Sequence, residues 1–156
     1  MKDICEKKIR MMEPNSIIAN DYIRKAEEAL KNMEITPSIE WKVVSAYYAC
    51  YNALYAILQR TGINCENHDC TIKLMASLDF TQEKITFMKE LKTQRINAQY
   101  YVNRPYKLAE QNKVKQFVLE CKKTIITTNI KQIREKIKKS QNLSTTKSSC
   151  VRKQRV

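Results

Sequence analysis

One glycine and three prolines serve all 156 residues, and that shortage decides the fold class. A β-rich domain of this size reverses direction many times, and tight turns draw on glycine and proline for their special φ values. A chain with almost none of either makes few turns, so it folds as a few long helices. The single glycine, Gly62, stands where a left-handed cap would close the most apolar of those helices.

Apolar periodicity places the helices. The first runs from about Ser16 to Met33, after the start signal Pro14-Asn15-Ser16, with Ala19, Tyr22, Ile23, Ala26, Ala29, Leu30 and Met33 on one face. A second runs from Ile39 to Thr61, with Ser38 as its cap. It carries one stripe of Val43, Tyr47, Cys50, Leu54, Ile57 and Leu58 and another of Val44, Tyr48, Tyr51 and Tyr55. A helix apolar on most sides belongs at the centre of a bundle, and Ala46, Ala49, Ala53 and Ala56 let neighbours come close. A short helix spans about His68 to Leu78. Another opens at Thr81 and ends near Asn103, ahead of Pro105. The last runs from about Leu108 to Lys139, and the β-branched cluster Thr124 to Thr128 weakens it enough to allow a bend. The expected fold is all-α, an up-and-down bundle of four long helices and one short one. Residues 1–15 form an arm, 16–139 the bundle, and 140–156 a basic, disordered tail.

Net charge is +13, and six of those charges lie between Lys138 and Val156, where no acid occurs. The body therefore keeps +7, and a basic body and tail suit a polyanion such as RNA, or an acidic protein. No apolar run approaches the roughly 20 residues that span a bilayer, so no membrane partner is expected. The charged start from Met1 to Arg10 has no signal-peptide core, so the expected location is the cytoplasm. There the six cysteines default to free thiols. Cys65, His68 and Cys70 are close together but match no standard zinc spacing, so no metal or other cofactor is expected.

Arg95 is the most informative residue. Met88, Leu91, Arg95, Ala98 and Val102 form the inward stripe of their helix, which puts a guanidinium on the buried side. A buried cation demands a partner. Arg95 either pairs with an inward carboxylate or backbone carbonyls, or lines a groove for phosphate or RNA. The tyrosines divide the same way. Tyr47, Tyr48, Tyr51 and Tyr100 are either amphipathic core or the wall of a groove shared with Arg95. His68, the only histidine, is either a packing residue at a helix start or a proton-transfer group.

Two stretches resemble the HEPN domain family. One is Ser45-Ala46-Tyr47-Tyr48-Ala49-Cys50-Tyr51-Asn52-Ala53-Leu54-Tyr55-Ala56-Ile57-Leu58, followed by Gly62 and His68. The other is Arg95-Ile96-Asn97-Ala98-Gln99-Tyr100, similar to the family's Arg-x-x-Ala-Asp-Tyr. The resemblance implies a helical bundle that dimerises. It also implies a prokaryotic protein paired with a minimal nucleotidyltransferase in a toxin–antitoxin or defence-type system. Many members are metal-independent ribonucleases that use an arginine followed four to six residues later by a histidine. Here those positions are Gln99, Tyr100 and Tyr101. A tyrosine, with a reference pKa near ~10, is a poor base at neutral pH. The leading expectation is therefore a protein with no or weak catalysis that binds a nucleotide, RNA or the nucleotidyltransferase at Arg95, Tyr47, Tyr48, Tyr51 and Tyr100. The alternatives are an RNA-cleaving toxin using Arg95 with Tyr100 or His68, and a structural interaction module with a nucleic-acid-binding tail.

Overall fold

The structure, a computed structural model, describes the backbone of residues 5–152 and the side chains of residues 5–141. It is an all-α bundle. A two-residue strand β1 (Arg10–Met11) precedes helices α1 (Ser16–Ile35) and α2 (Ile39–Thr61). Strand β2 (Ile63–Asn64) leads into the short α3 (His68–Leu74) and a 3-10 turn at Met75–Leu78. Helices α4 (Gln82–Tyr100), α5 (Gln111–Thr127) and α6 (Ile130–Arg152) complete it.

Local chemistry sets the helix starts. Each capping side chain accepts a backbone N–H that the first turn leaves without a partner. Asn15 accepts from Ile18 at 3.0 Å, Ser38 from Trp41 at 3.3 Å, Asn67 from Cys70 at 3.0 Å and Thr81 from Lys84 at 3.4 Å. Helix α2 is the centre: 14 of its 23 residues are buried, and it packs against α1, α4, α5 and α6. Ala46, Ala49, Ala53 and Ala56 are all fully buried. Helix α1 turns Ala19, Ala26 and Met33 inward, and α5 turns Val114, Phe117, Val118, Cys121 and Ile125 inward. Burial pushes the Cys50 and Cys121 thiols well above the ordinary range, so both stay protonated and inert.

The structure corrects the sequence reading in four places. The helix expected from Leu108 to Lys139 is two helices. Thr128 adopts an extended conformation (φ −67°, ψ 138°), and the Asn129 side chain accepts the Gln132 N–H at 3.1 Å to start α6. The weak β-branched stretch is thus a full break, and the described residues form five long helices. Helix α4 stops at Tyr100 rather than Asn103, and Val102, expected inside, is fully exposed beyond its end.

The third correction concerns the C-terminal segment. The backbone of α6 stays helical through Arg152, where disorder from Ser140 was expected. No glycine or proline interrupts that stretch, and a helix once nucleated extends readily. The side chains past Gln141 lie outside the described residues, and with them the contacts expected of the tail.

Fourth, Cys5 and Cys70 are not free thiols but a disulfide, with Cα atoms 5.3 Å apart. The reason is tertiary. The β1–β2 ribbon pairs Arg10 with Asn64 and Met11 with Ile63, which lays the arm beside α3. Cytosolic proteins keep most thiols reduced; in such a compartment the arm is held by the ribbon and by Gly62. Gly62 closes α2 at φ 72° and accepts the Met12 N–H at 2.7 Å. Arg134 on α6 donates to the carbonyls of Met12, Thr61 and Gly62 at 2.7, 2.9 and 3.1 Å. Among the described residues no helix is long and apolar enough to cross a membrane.

A Cβ at Gly62 would collide with the Met12 carbonyl and the Arg134 guanidinium and lie 2.8 Å from the Pro14 nitrogen. The left-handed φ and the overpacking together make Gly62→Ala cost about 2–4 kcal/mol. Thermal melts should then fall by roughly 5–15 °C for a chain of this length.

Candidate functional site

The inward face of α4 carries Ile85, Met88, Leu91, Arg95 and Ala98, so the chain's one buried charged side chain among the described residues projects towards α2. Arg95 is 7% exposed. Its guanidinium carbon lies 4.7 Å from the ring centre of Tyr47, 5.6 Å from Tyr48 and 5.8 Å from Tyr100. Nη1 donates to the Tyr48 hydroxyl at 3.2 Å and, at the edge of bonding distance, to Gln99 Oε1 at 3.5 Å. Nε is buried and has no acceptor. No carboxylate pairs with the guanidinium among the described residues. Three aromatic faces and two neutral oxygens compensate the charge only in part, because cation–π contacts contribute about 0.5–2 kcal/mol each and burying an unpaired cation costs more.

His68 enters from the start of α3. Its ring stacks on Tyr51 at 4.0 Å between centres, and Nδ1 lies 2.6 Å from the Tyr47 hydroxyl. Burial pushes the phenol pKa of Tyr47 up and that of Tyr51 up to about 12. Tyr47 is thus a neutral phenol that can donate to Nδ1, which places the imidazole proton on Nε2. Burial, and then the positive charges of Arg95 and Lys92, hold His68 below the ordinary imidazole pKa; the neighbouring Asp69 pulls the other way. His68 is accordingly neutral at pH 7, the form that can accept a proton.

The fold therefore gathers Tyr47, Tyr48, Tyr51, His68, Arg95 and Tyr100 into one cluster, and it ranks them. Tyr47 is fully buried and Tyr51 7% exposed, so both support the cluster from beneath. Tyr100 is 64% exposed and offers its ring to solvent. Tyr101 instead sits under Arg104, 3.5 Å from ring centre to guanidinium carbon. Tyr55 lies at the edge of the cluster, stacked on Tyr51 with ring centres 6.0 Å apart, bonding Asn64 at 2.7 Å and packing edge-on against Tyr22.

Two residues of the cluster escape a sequence reading. Lys92 forms an ion pair with Asp69 and ties α4 to α3, and this pair holds the Asp69 carboxyl below its usual range. The available signal was positional: Lys92 precedes Arg95 by one helical turn, and Asp69 adjoins His68. Among the described residues no group of three or more histidine, cysteine, aspartate or glutamate side chains is placed to hold a metal ion.

Residues 18–133 match the family model for the HEPN domain. That span covers α1 to α5 and the start of α6, well over half of the chain, and the protein belongs to the HEPN domain family. No curated protein matches it by sequence.

The lowered His68 pKa fixes a sign for pH dependence. The folded state resists protonation that the unfolded chain accepts near pH ~6.5. Stability is therefore full above that value, falls as the pH drops through it, and levels off below the folded-state pKa. In thermal melts from pH 8 to pH 5, His68→Gln should lose that part of the decline while carboxylate effects at lower pH persist. Parallel wild-type and variant curves would refute the assignment.

Proposed function

We propose that this HEPN domain binds a phosphate-bearing ligand, a nucleotide or a segment of RNA, between α2 and α4, with Arg95 as the anion anchor. The observation that carries the reading is the incompletely compensated guanidinium: 7% exposed, without a carboxylate, and with Nε unpaired. A phosphate brings the charge and acceptor oxygens that this environment lacks, and charge-assisted bonds to guanidinium are the strong ones. The exposed ring of Tyr100 is the surface on which a base can stack, worth about 1–3 kcal/mol. The proposal extends to a homodimer and a minimal nucleotidyltransferase partner in a toxin–antitoxin or defence-type pair, as the resemblance to the family suggests. The exposed Trp41, Tyr101 and Val102 offer apolar area for such contacts.

A specific observation favours a second reading, metal-independent RNA cleavage. A neutral His68 and the cationic Arg95 contact the same Tyr47 ring system. The family's arginine–histidine spacing is missing from the sequence, yet an arginine and a histidine are neighbours in space. His68 would act as the base through Nδ1, the nitrogen that the Tyr47 hydroxyl must first release, and Arg95 would stabilise the developing negative charge.

Fluorescence anisotropy with a labelled single-stranded RNA and with a labelled nucleotide tests the first reading. Arg95→Ala should weaken binding about tenfold or more, the loss expected for a hydrogen bond to a charged group. Gln99→Glu should also weaken it, by supplying an internal carboxylate to Arg95, while raising the melting temperature. Undiminished binding in both variants would sink the site. Cleavage of mixed RNA in chelator, lost in both Arg95→Ala and His68→Ala, would establish the second reading.

A further inference from the structure

Outside the Arg95 cluster, the chain builds a second concave site from parts that the family match does not include. A cavity of about 370 Å³ is lined by Lys7, Lys8 and Arg10 of the arm and by Asn64, Glu66 and Asn67 of the β2–α3 connection. The arm residues all precede residue 18, where the family match begins. The cavity exists because the arm is fixed on the bundle at three levels: the Cys5–Cys70 disulfide, the pairing of Arg10 with Asn64, and the Met12–Gly62 hydrogen bond.

Its hydrogen-bonding character is one-sided. Asn64 Oδ1 is already occupied by the Tyr55 hydroxyl at 2.7 Å, and Asn67 Oδ1 by the Cys70 N–H at 3.0 Å. Each amide oxygen thus already accepts one bond from the protein, and neither Nδ2 group bonds to the protein among the described residues. Lys7, Lys8 and Arg10 have donors only, and none forms an ion pair among the described residues. Glu66 is the one acid against three cations. No aromatic or aliphatic residue lines the space, so it offers no face on which to stack a base.

We propose that this cavity is a binding site for a run of two or more phosphates. The volume lies within the range of small-ligand pockets, about 300–1,000 Å³. Phosphate oxygens accept from lysine, guanidinium and amide donors at once, and a single phosphate would leave part of the donor set unused. Two sources share this chemistry: the polyphosphate of a nucleotide and consecutive phosphates of an RNA strand. Asn67 adjoins His68, so a strand held here would run past the start of α3 towards the Arg95 cluster; a nucleotide would occupy the cavity alone.

The test is calorimetric titration of the full chain with inorganic triphosphate at low ionic strength. Wild type should bind saturably. The double variant Lys8→Ala, Arg10→Ala should bind about tenfold more weakly or worse, whereas Lys131→Ala, Lys138→Ala, the same charge change on α6, should bind within about twofold of wild type. Asn67→Asp is the decisive single change. The aspartate still caps α3, so the melting temperature holds, but a donor becomes an anion and triphosphate affinity should fall by a similar factor. The loss caused by Lys8→Ala, Arg10→Ala should persist undiminished when it is made in an Arg95→Ala background, which separates this site from the one proposed above. No saturable binding, equal loss in the α6 control, or unchanged affinity in Asn67→Asp would each overturn the proposal. Displacement of triphosphate by ATP in preference to an oligouridylate identifies a nucleotide, and the reverse preference identifies an RNA strand.

Discussion

Helix α2 has almost no free face, and the rest of the molecule is arranged to cover it. Helices α1, α4, α5 and α6 pack around it, and its four buried alanines let them do so closely. Close packing is what makes such a core specific: at crystal-like density, neighbours fit one arrangement. The consequence for function lies in the tyrosines. A helix this buried must route its polar atoms to the edge. The hydroxyls of Tyr47, Tyr48 and Tyr55 reach His68, Arg95 and Asn64 at its margins. The candidate site is thus the polar border of the core, and its geometry inherits the rigidity of the core beneath.

Arg95 is where that border carries charge. An arginine on the inward face of α4 is costly to bury, and the surroundings are aromatic rather than acidic. Position 99, one turn along the same face, is glutamine, which provides only a neutral oxygen at the limit of bonding distance. The neutral side chain that leaves the guanidinium undercompensated also leaves its field unneutralised. On the function proposed above, stability and binding are set against each other at one side chain, a common trade at functional positions.

The arm adds a second basic surface to the family fold. Its attachment converges on Gly62, where the end of α2, the ribbon and Arg134 of α6 meet within hydrogen-bonding distance. A side chain at this point would push the three apart. The single glycine of the chain is therefore spent where backbone must approach backbone, in addition to the left-handed cap it supplies.

The all-α class, the span of α2, the caps at Asn15, Ser38 and Thr81 and the inward placement of Arg95 were legible in the sequence. Each rests on interactions within a few residues along the chain: helical periodicity, capping, and the absence of turn formers. The break at Thr128 was visible only as weakness, because propensity grades a segment without fixing where hydrogen bonds stop. What the tertiary structure alone decided is everything that joins distant residues. Cys5 meets Cys70 across 65 positions, His68 and Arg95 meet on the Tyr47 ring, and the arm closes a cavity against the β2–α3 connection. The sequence determined which faces must be buried, since that follows from local chemistry. Which buried faces meet, and which polar groups are left facing one another at their edges, depended on packing the whole chain at once.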